Sequence, residues 1–182
     1  MTAEYQPKLP PRDYQARELA RMRGKPAWAL LCYMRTGKTK IALDDFGQLE
    51  LDGAAQDLLV VAPAGAYLTW QGELEKHLSD DLRGRLRVAT WVSGKKLDAG
   101  FLLDHSRPRT LLVNVEALST ATGAREACLL FCRGRRVVAA VDESTTIKGH
   151  GTKRTKFVVR HLAPACAYRR ILSGLPDFAD LC

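Results

Sequence analysis

Trp28-Ala-Leu-Leu-Cys-Tyr33, then Met34-Arg-Thr-Gly-Lys-Thr39, is the stretch on which the reading of this chain turns. The first half is apolar and rich in strand formers. The second half runs directly into Lys38–Leu51, where Ile41, Ala42, Phe46 and Leu49 recur at helical spacing. A strand, a short loop and a helix in that order aim backbone N–H groups and a helix N-terminus at one point, which suits an anion. Gly37 lets the backbone approach a phosphate without a side chain in the way. Lys38 would set its ammonium against β- and γ-phosphates, and Thr39 would offer a hydroxyl to Mg²⁺. In the pattern GxxxxGK[ST] the first glycine falls at Cys32, so the match is incomplete. Arg35 also stands where such loops keep a small residue.

A second segment complements the first. Val137-Val-Ala-Ala-Val-Asp-Glu143 is an apolar run ending in two carboxylates. A strand of this kind carries Asp142 to the carboxyl edge of a sheet, where it can hold Mg²⁺, with Glu143 placed to polarise an attacking water. Standing alone it could be a surface turn after a strand. With the phosphate loop upstream, the two features together point to Mg-nucleotide chemistry, with Lys38, Asp142 and Glu143 as the catalytic set. Thr39 and Asp142 are the expected metal contacts, and ATP and Mg²⁺ the expected cofactors.

Further strands are expected at Leu58–Ala62, Arg87–Val92, Thr110–Val115 and Arg169–Leu172. Helices are expected at Arg12–Met22, Tyr67–Leu78, Ala124–Cys132 and Arg154–Leu162. Apolar runs without alternation, such as Leu58-Leu-Val-Val-Ala62, suit strands covered on both faces by helices. The alternation predicts a three-layer α/β/α domain with a mostly parallel sheet. No repeat or linker interrupts it, so residues 1–182 read as one domain.

The chain has 182 residues and a net charge of +8. No apolar run reaches the roughly 20 residues of a membrane span, and the first residues lack a secretory core. A cytoplasmic protein is expected, in the host cytoplasm if the source is viral, with no membrane partner. Five cysteines without a CxxC pair, and four scattered histidines, suggest reduced thiols rather than a metal cage. Lys148, Lys153, Arg154, Lys156, Arg160, Arg169 and Arg170 form a stretch without acidic residues. Such a stretch fits a phosphate-binding surface or an ordinary solvated helix face. Trp70 reads as a packing residue, and Tyr14 as either packing or stacking beside a base.

Taken in order, the motifs resemble the first, RecA-like ATP-binding lobe of a superfamily 2 helicase of the Swi/Snf-type translocase branch. Pro11-Arg-Asp-Tyr-Gln15 resembles the glutamine motif, and the resemblance makes Gln15 the adenine reader. Met34, Arg35, Thr36, Gly37, Lys38 and Thr39 resemble motif I. Val60-Val-Ala-Pro63-Ala64, with Leu68-Thr-Trp70 and Glu73, is similar to motif Ia, and Leu111–Leu118, with Asn114 and Glu116, to the next backbone-contacting turn. Asp142-Glu-Ser-Thr145 resembles motif II, with Lys148 following. Ile171-Leu-Ser173-Gly174-Leu-Pro176 is similar to motif III, which makes Ser173 and Gly174 coupling residues. Three positions depart from the pattern: Arg35 for a glycine, Thr145 for the histidine of DEAH, and Leu175 for a threonine.

The resemblance implies weak DNA binding through Pro63, Ala64, Asn114, Glu116 and Lys148. It also implies a second lobe that supplies an arginine finger, worth roughly 10³–10⁵ in rate. No second lobe is read within the 182 residues, so weak or no ATP hydrolysis, and no unwinding, is expected of the chain alone. Fragment and natural stand-alone lobe both fit that reading. The competing reading is a non-enzymatic interaction protein that inhibits or completes a partner nucleic-acid machine. A small-molecule kinase is disfavoured by the absence of an arginine-rich lid.

Overall fold

A computed structural model describes residues 3–33, 35–143 and 151–174. Six strands form one sheet: β1 (Ala27–Cys32), β2 (Asp57–Ala62), β3 (Arg87–Thr90), β4 (Arg109–Asn114), β5 (Val137–Asp142) and β6 (Tyr168–Gly174). Their spatial order is β1-β6-β5-β2-β4-β3, and every ladder is parallel. β6 therefore lies between the strand that feeds the phosphate loop and the strand that ends in Asp142. Parallel pairing brings Cys32, Ala62, Asn114, Asp142 and Gly174 to one edge, the edge at which ligands bind in sheets of this kind.

The β2 residues are buried along the whole strand, and their side chains alternate between two cores. Leu58, Val60 and Ala62 join Leu30, Ile41, Phe46, Trp70 and Leu74. That core is covered by α1 (Asp13–Met22), α2 (Lys38–Leu51), α3 (Thr69–His77) and α4 (Asp80–Arg85). Leu59 and Val61 join Phe101, Leu118, Cys128, Phe131 and Leu162 on the other face. The helices there are α5 (Ala99–Leu102), α6 (Ala117–Thr120), α7 (Thr122–Cys132) and α8 (Lys153–Phe157), followed by a π-helical turn at Val158–Leu162 and the short α9 (Ala163–Ala165). Three layers result, as the apolar runs predict.

The differences from the sequence reading are local. The α3 helix begins at Thr69 rather than Tyr67, because the amides of Ala66 and Tyr67 both donate to the Pro63 carbonyl in a turn. The expected Arg154–Leu162 helix is α only to Phe157 and then widens, just ahead of Pro164, whose ring removes a backbone donor. The helices α4, α5, α6 and α9 span six residues or fewer, too short for a periodic signal. An extended N-terminal segment is also tied down over α2. The Tyr5 amide donates to Gln48 Oε1 at 2.9 Å, and the Tyr5 ring lies against Gly47, where any Cβ would collide with it.

Candidate nucleotide site at the carboxyl edge

The loop after β1 turns into α2 through Gly37, whose φ of 77° puts it in the left-handed region. No side chain caps this helix, and its first intrahelical bond is Ile41 N to Gly37 O at 3.1 Å. The amides of Lys38, Thr39 and Lys40 thus stand at the positive end of a 14-residue helix without an intrahelical acceptor.

The first helix braces the loop. Tyr14 Oη and Gln15 Nε2 both donate to the Thr36 carbonyl, at 2.8 and 3.2 Å, while Gln15 Oε1 accepts from the Arg12 amide at 2.9 Å. Gln15 is buried, and a Cβ on residue 37 would come within 2.5 Å of its Nε2. Glycine is therefore required here twice, once for its φ and once for space.

Arg35 answers the departure noted in the sequence. Its φ is 62°, so the position asks for the backbone that glycine supplies most easily, and this chain adopts it with an arginine. Lys38 folds its ammonium back onto its own loop, donating to the carbonyls of Cys32 at 3.3 Å and Tyr33 at 3.1 Å. Thr36 Oγ1 also donates to the Tyr33 carbonyl, at 2.8 Å. Burial, followed by the nearby Glu18, pushes the Cys32 thiol pKa up. Thr39 lies half-buried on the first turn of α2. Met34 lies outside the described residues.

Two strands away, β5 delivers Asp142 to the same edge. Its Oδ1 accepts from the Glu143 amide at 3.0 Å and its Oδ2 from Trp70 Nε1 at 2.9 Å. Glu143 has a φ of 48°, a second non-glycine residue in the left-handed region. Such strain, costing of order 1–3 kcal/mol, concentrates at functional sites. With β6 in between, the two halves of the site are separated by roughly 10 Å, two inter-strand steps. The bonds of Lys38 stay within its loop and those of Asp142 run to Trp70 and Glu143. The structure sets the groups along one edge without joining them. Ser173 and Gly174 fill the interval: Gly174 pairs with Cys32, and Ser173 is buried with Oγ donating to the Gly174 carbonyl at 3.3 Å.

Pro63 and Ala64 open the turn after β2, and Asn114 and Glu116 the turn after β4. Asn114 Oδ1 accepts from the Glu116 amide at 2.7 Å. Tyr67, Asn114, Glu116, Ala117 and Thr120 line a cavity of about 310 Å³ there. Lys148 lies outside the described residues.

The basic stretch is smaller in space than in sequence. Arg170 is 1% exposed and pairs with Asp45 at 2.8 Å, and Arg169 turns inward onto the carbonyls of Ala163 and Cys166. Among its described members, Lys153, Lys156 and Arg160 remain exposed. A strand faces inward on alternate residues, so Arg170 belongs to the core side of β6 and not to a surface field.

Trp70 was legible as a buried residue, and it is 2% exposed. Its bond to Asp142 was not legible, because it spans 72 residues. The one available hint was that a buried indole N–H needs an acceptor. Among the described residues no helix is long and apolar enough to cross a membrane.

No family model and no curated protein matches the chain. Solved structures do. The SWI2/SNF2 ATPase core of Sulfolobus solfataricus in complex with dsDNA superposes with a TM-score of 0.69 at 23% identity, over 97% of this chain and 34% of that one. The same organism's SWI2/SNF2 ATPase core domain gives 0.69 at 21% identity, over 99% of this chain and 34% of that one. The UvsW helicase of bacteriophage T4 gives 0.61 at 14% identity, over 93% of this chain and 55% of that one. The chain thus spans about a third of the length of the ATPase cores it matches. At these identities the likeness is one of fold: this chain shares the three-layer α/β/α, RecA-like fold of those structures.

Proposed function

We propose that the chain is the ATP-binding first lobe of a Swi/Snf-type DNA translocase or helicase. The observation that carries this is the uncapped N-terminus of α2, reached through a left-handed Gly37 directly after a parallel strand. The donor set fits a magnesium triphosphate. Backbone amides at a helix N-terminus and the Lys38 ammonium suit phosphate oxygens, while the Thr39 hydroxyl and the Asp142 carboxylate are hard oxygen donors suited to Mg²⁺. Bound there, Mg²⁺ would neutralise charge on the phosphates.

The chain's own residues bind and orient. Lys38 exchanges two loop carbonyls for phosphate oxygens, so its present bonds hold the ammonium near its working position. Gln15 spends one donor and one acceptor on the loop, which leaves the rest of its carboxamide for an adenine edge. Glu143 is the group to orient a water. An arginine finger is expected from a second lobe, so this chain alone hydrolyses ATP weakly or not at all. Weak DNA binding through Pro63, Ala64, Asn114, Glu116 and Lys148 completes the reading, supported by the dsDNA complex of the Sulfolobus protein.

Calorimetry with Mg-ATP tests it. Heat of binding is expected for the wild-type chain and its loss in Lys38→Ala, with the fold unchanged by circular dichroism. An absence of heat from the wild-type chain would remove the nucleotide from the account.

A further inference from the structure

We infer that Trp70 is a positioning residue for the Asp142 carboxylate, holding it in the orientation a metal ligand needs. The inference rests on the nucleotide reading above and deepens it.

A carboxylate at the end of a strand has free rotation about its last torsion unless its oxygens are held. Here both oxygens are engaged, and by different elements. The Glu143 amide takes Oδ1 at 3.0 Å from the same turn, and Trp70 Nε1 takes Oδ2 at 2.9 Å from α3. The local bond cannot set the plane alone, because Glu143 adjoins Asp142 and moves with it. The indole can. Trp70 is 2% exposed and packs in the core of α2, α3 and β2, so its ring has no room to follow a wandering carboxylate.

The bond is also specific in its chemistry. Indole has one donor and no acceptor, so it engages the carboxylate while leaving the other lone pairs of Oδ1 and Oδ2 for a cation. A lysine at this place would neutralise the carboxylate and compete with Mg²⁺. A phenylalanine would fill much of the same space without holding anything. A buried tryptophan meets both needs, packing and a neutral donor, and supporting groups of this kind tune metal affinity.

Nuclear magnetic resonance of the indole N–H groups decides the bond without any ligand. The chain has three tryptophans, Trp28, Trp70 and Trp91. Trp28 Nε1 donates to Glu18 and Trp91 sits in the opposite core, so both serve as internal controls for the fold. Asp142→Asn is expected to shift the Trp70 indole resonance and leave the other two in place. An unmoved Trp70 resonance overturns the inference.

The second arm reads function through binding alone. Trp70→Phe is expected to weaken ATP binding in the presence of Mg²⁺ by roughly 10-fold or more. ATP binding in EDTA should remain as in the wild type. Equal loss in both conditions marks a purely structural role and overturns the positioning claim. If the wild-type chain binds no nucleotide in either condition, the nucleotide reading fails and the role of Trp70 with it. The indole shift then still reports whether the bond itself exists.

Discussion

The two edges of the sheet are built on opposite principles. At the amino edge, the buried Asp57 that begins β2 is met by two arginines. Arg109 Nη2 lies 2.5 Å from its Oδ2, and Arg135 Nε lies 2.9 Å from the same oxygen. The Arg109 amide donates to Oδ1 at 2.9 Å, and its guanidinium reaches the carbonyls of Phe101, Leu102 and Phe131 while stacking 4.5 Å from the Phe131 ring centroid. Arg109 and Asp57 are fully buried. At the carboxyl edge, the Lys38 ammonium rests on its own loop, two non-glycine residues and Gly37 hold left-handed backbone, and α2 has no side-chain cap. One edge holds its carboxylate between two arginines and gives every guanidinium nitrogen of Arg109 an acceptor. The other keeps donors, charge and strain available, at the edge where parallel sheets take their ligands.

The largest expected effect comes from breaking the closed edge. Asp57→Ala leaves Arg109 buried without its counter-charge, which should cost about 3–5 kcal/mol in urea unfolding. A loss under about 1 kcal/mol would mean that the arginines satisfy themselves on carbonyls and that the edges differ less than the geometry suggests.

A smaller loss is expected at the open edge. Gly37→Ala must hold a left-handed backbone and displace Gln15, costing about 1–2 kcal/mol of stability. It should also abolish Mg-ATP heat, because the loop and its brace separate. Stability that falls with nucleotide binding intact would separate the brace from the site.

The smallest effect sharpens the comparison. Arg35→Gly removes an unfavourable φ and is expected to be neutral or stabilising by up to about 1 kcal/mol. The control is Arg133→Gly, where φ is −67°, expected to lose about 0.5–1 kcal/mol. Equal losses at the two positions in thermal melts would show that Arg35 carries no strain.

Much of the open edge was legible in the sequence, and almost none of the closed one. Gly37, Lys38 and Thr39 sit at a strand–helix junction that periodicity reveals, and Asp142 ends an apolar run. Each of those signals fits within a dozen residues. Asp57 and Arg109 lie one residue ahead of the expected strands Leu58–Ala62 and Thr110–Val115, and nothing local pairs them. Arg170 was read with the surface cations for the same reason. Its partner Asp45 is 125 residues away.

What the sequence determined by itself is the alternation of strands and helices, the parallel three-layer class and the residue types that stand at the two strand ends. Those follow from apolar spacing and from residue type, which short-range sterics and burial make visible. Only the tertiary structure decided that β6 separates the two halves of the site, that Trp70 reaches Asp142, that Gln15 closes over Gly37, and that Asp57 carries two arginines. Each of these depends on which distant segments become neighbours. That is fixed by the packing of whole layers and leaves no periodic trace along the chain.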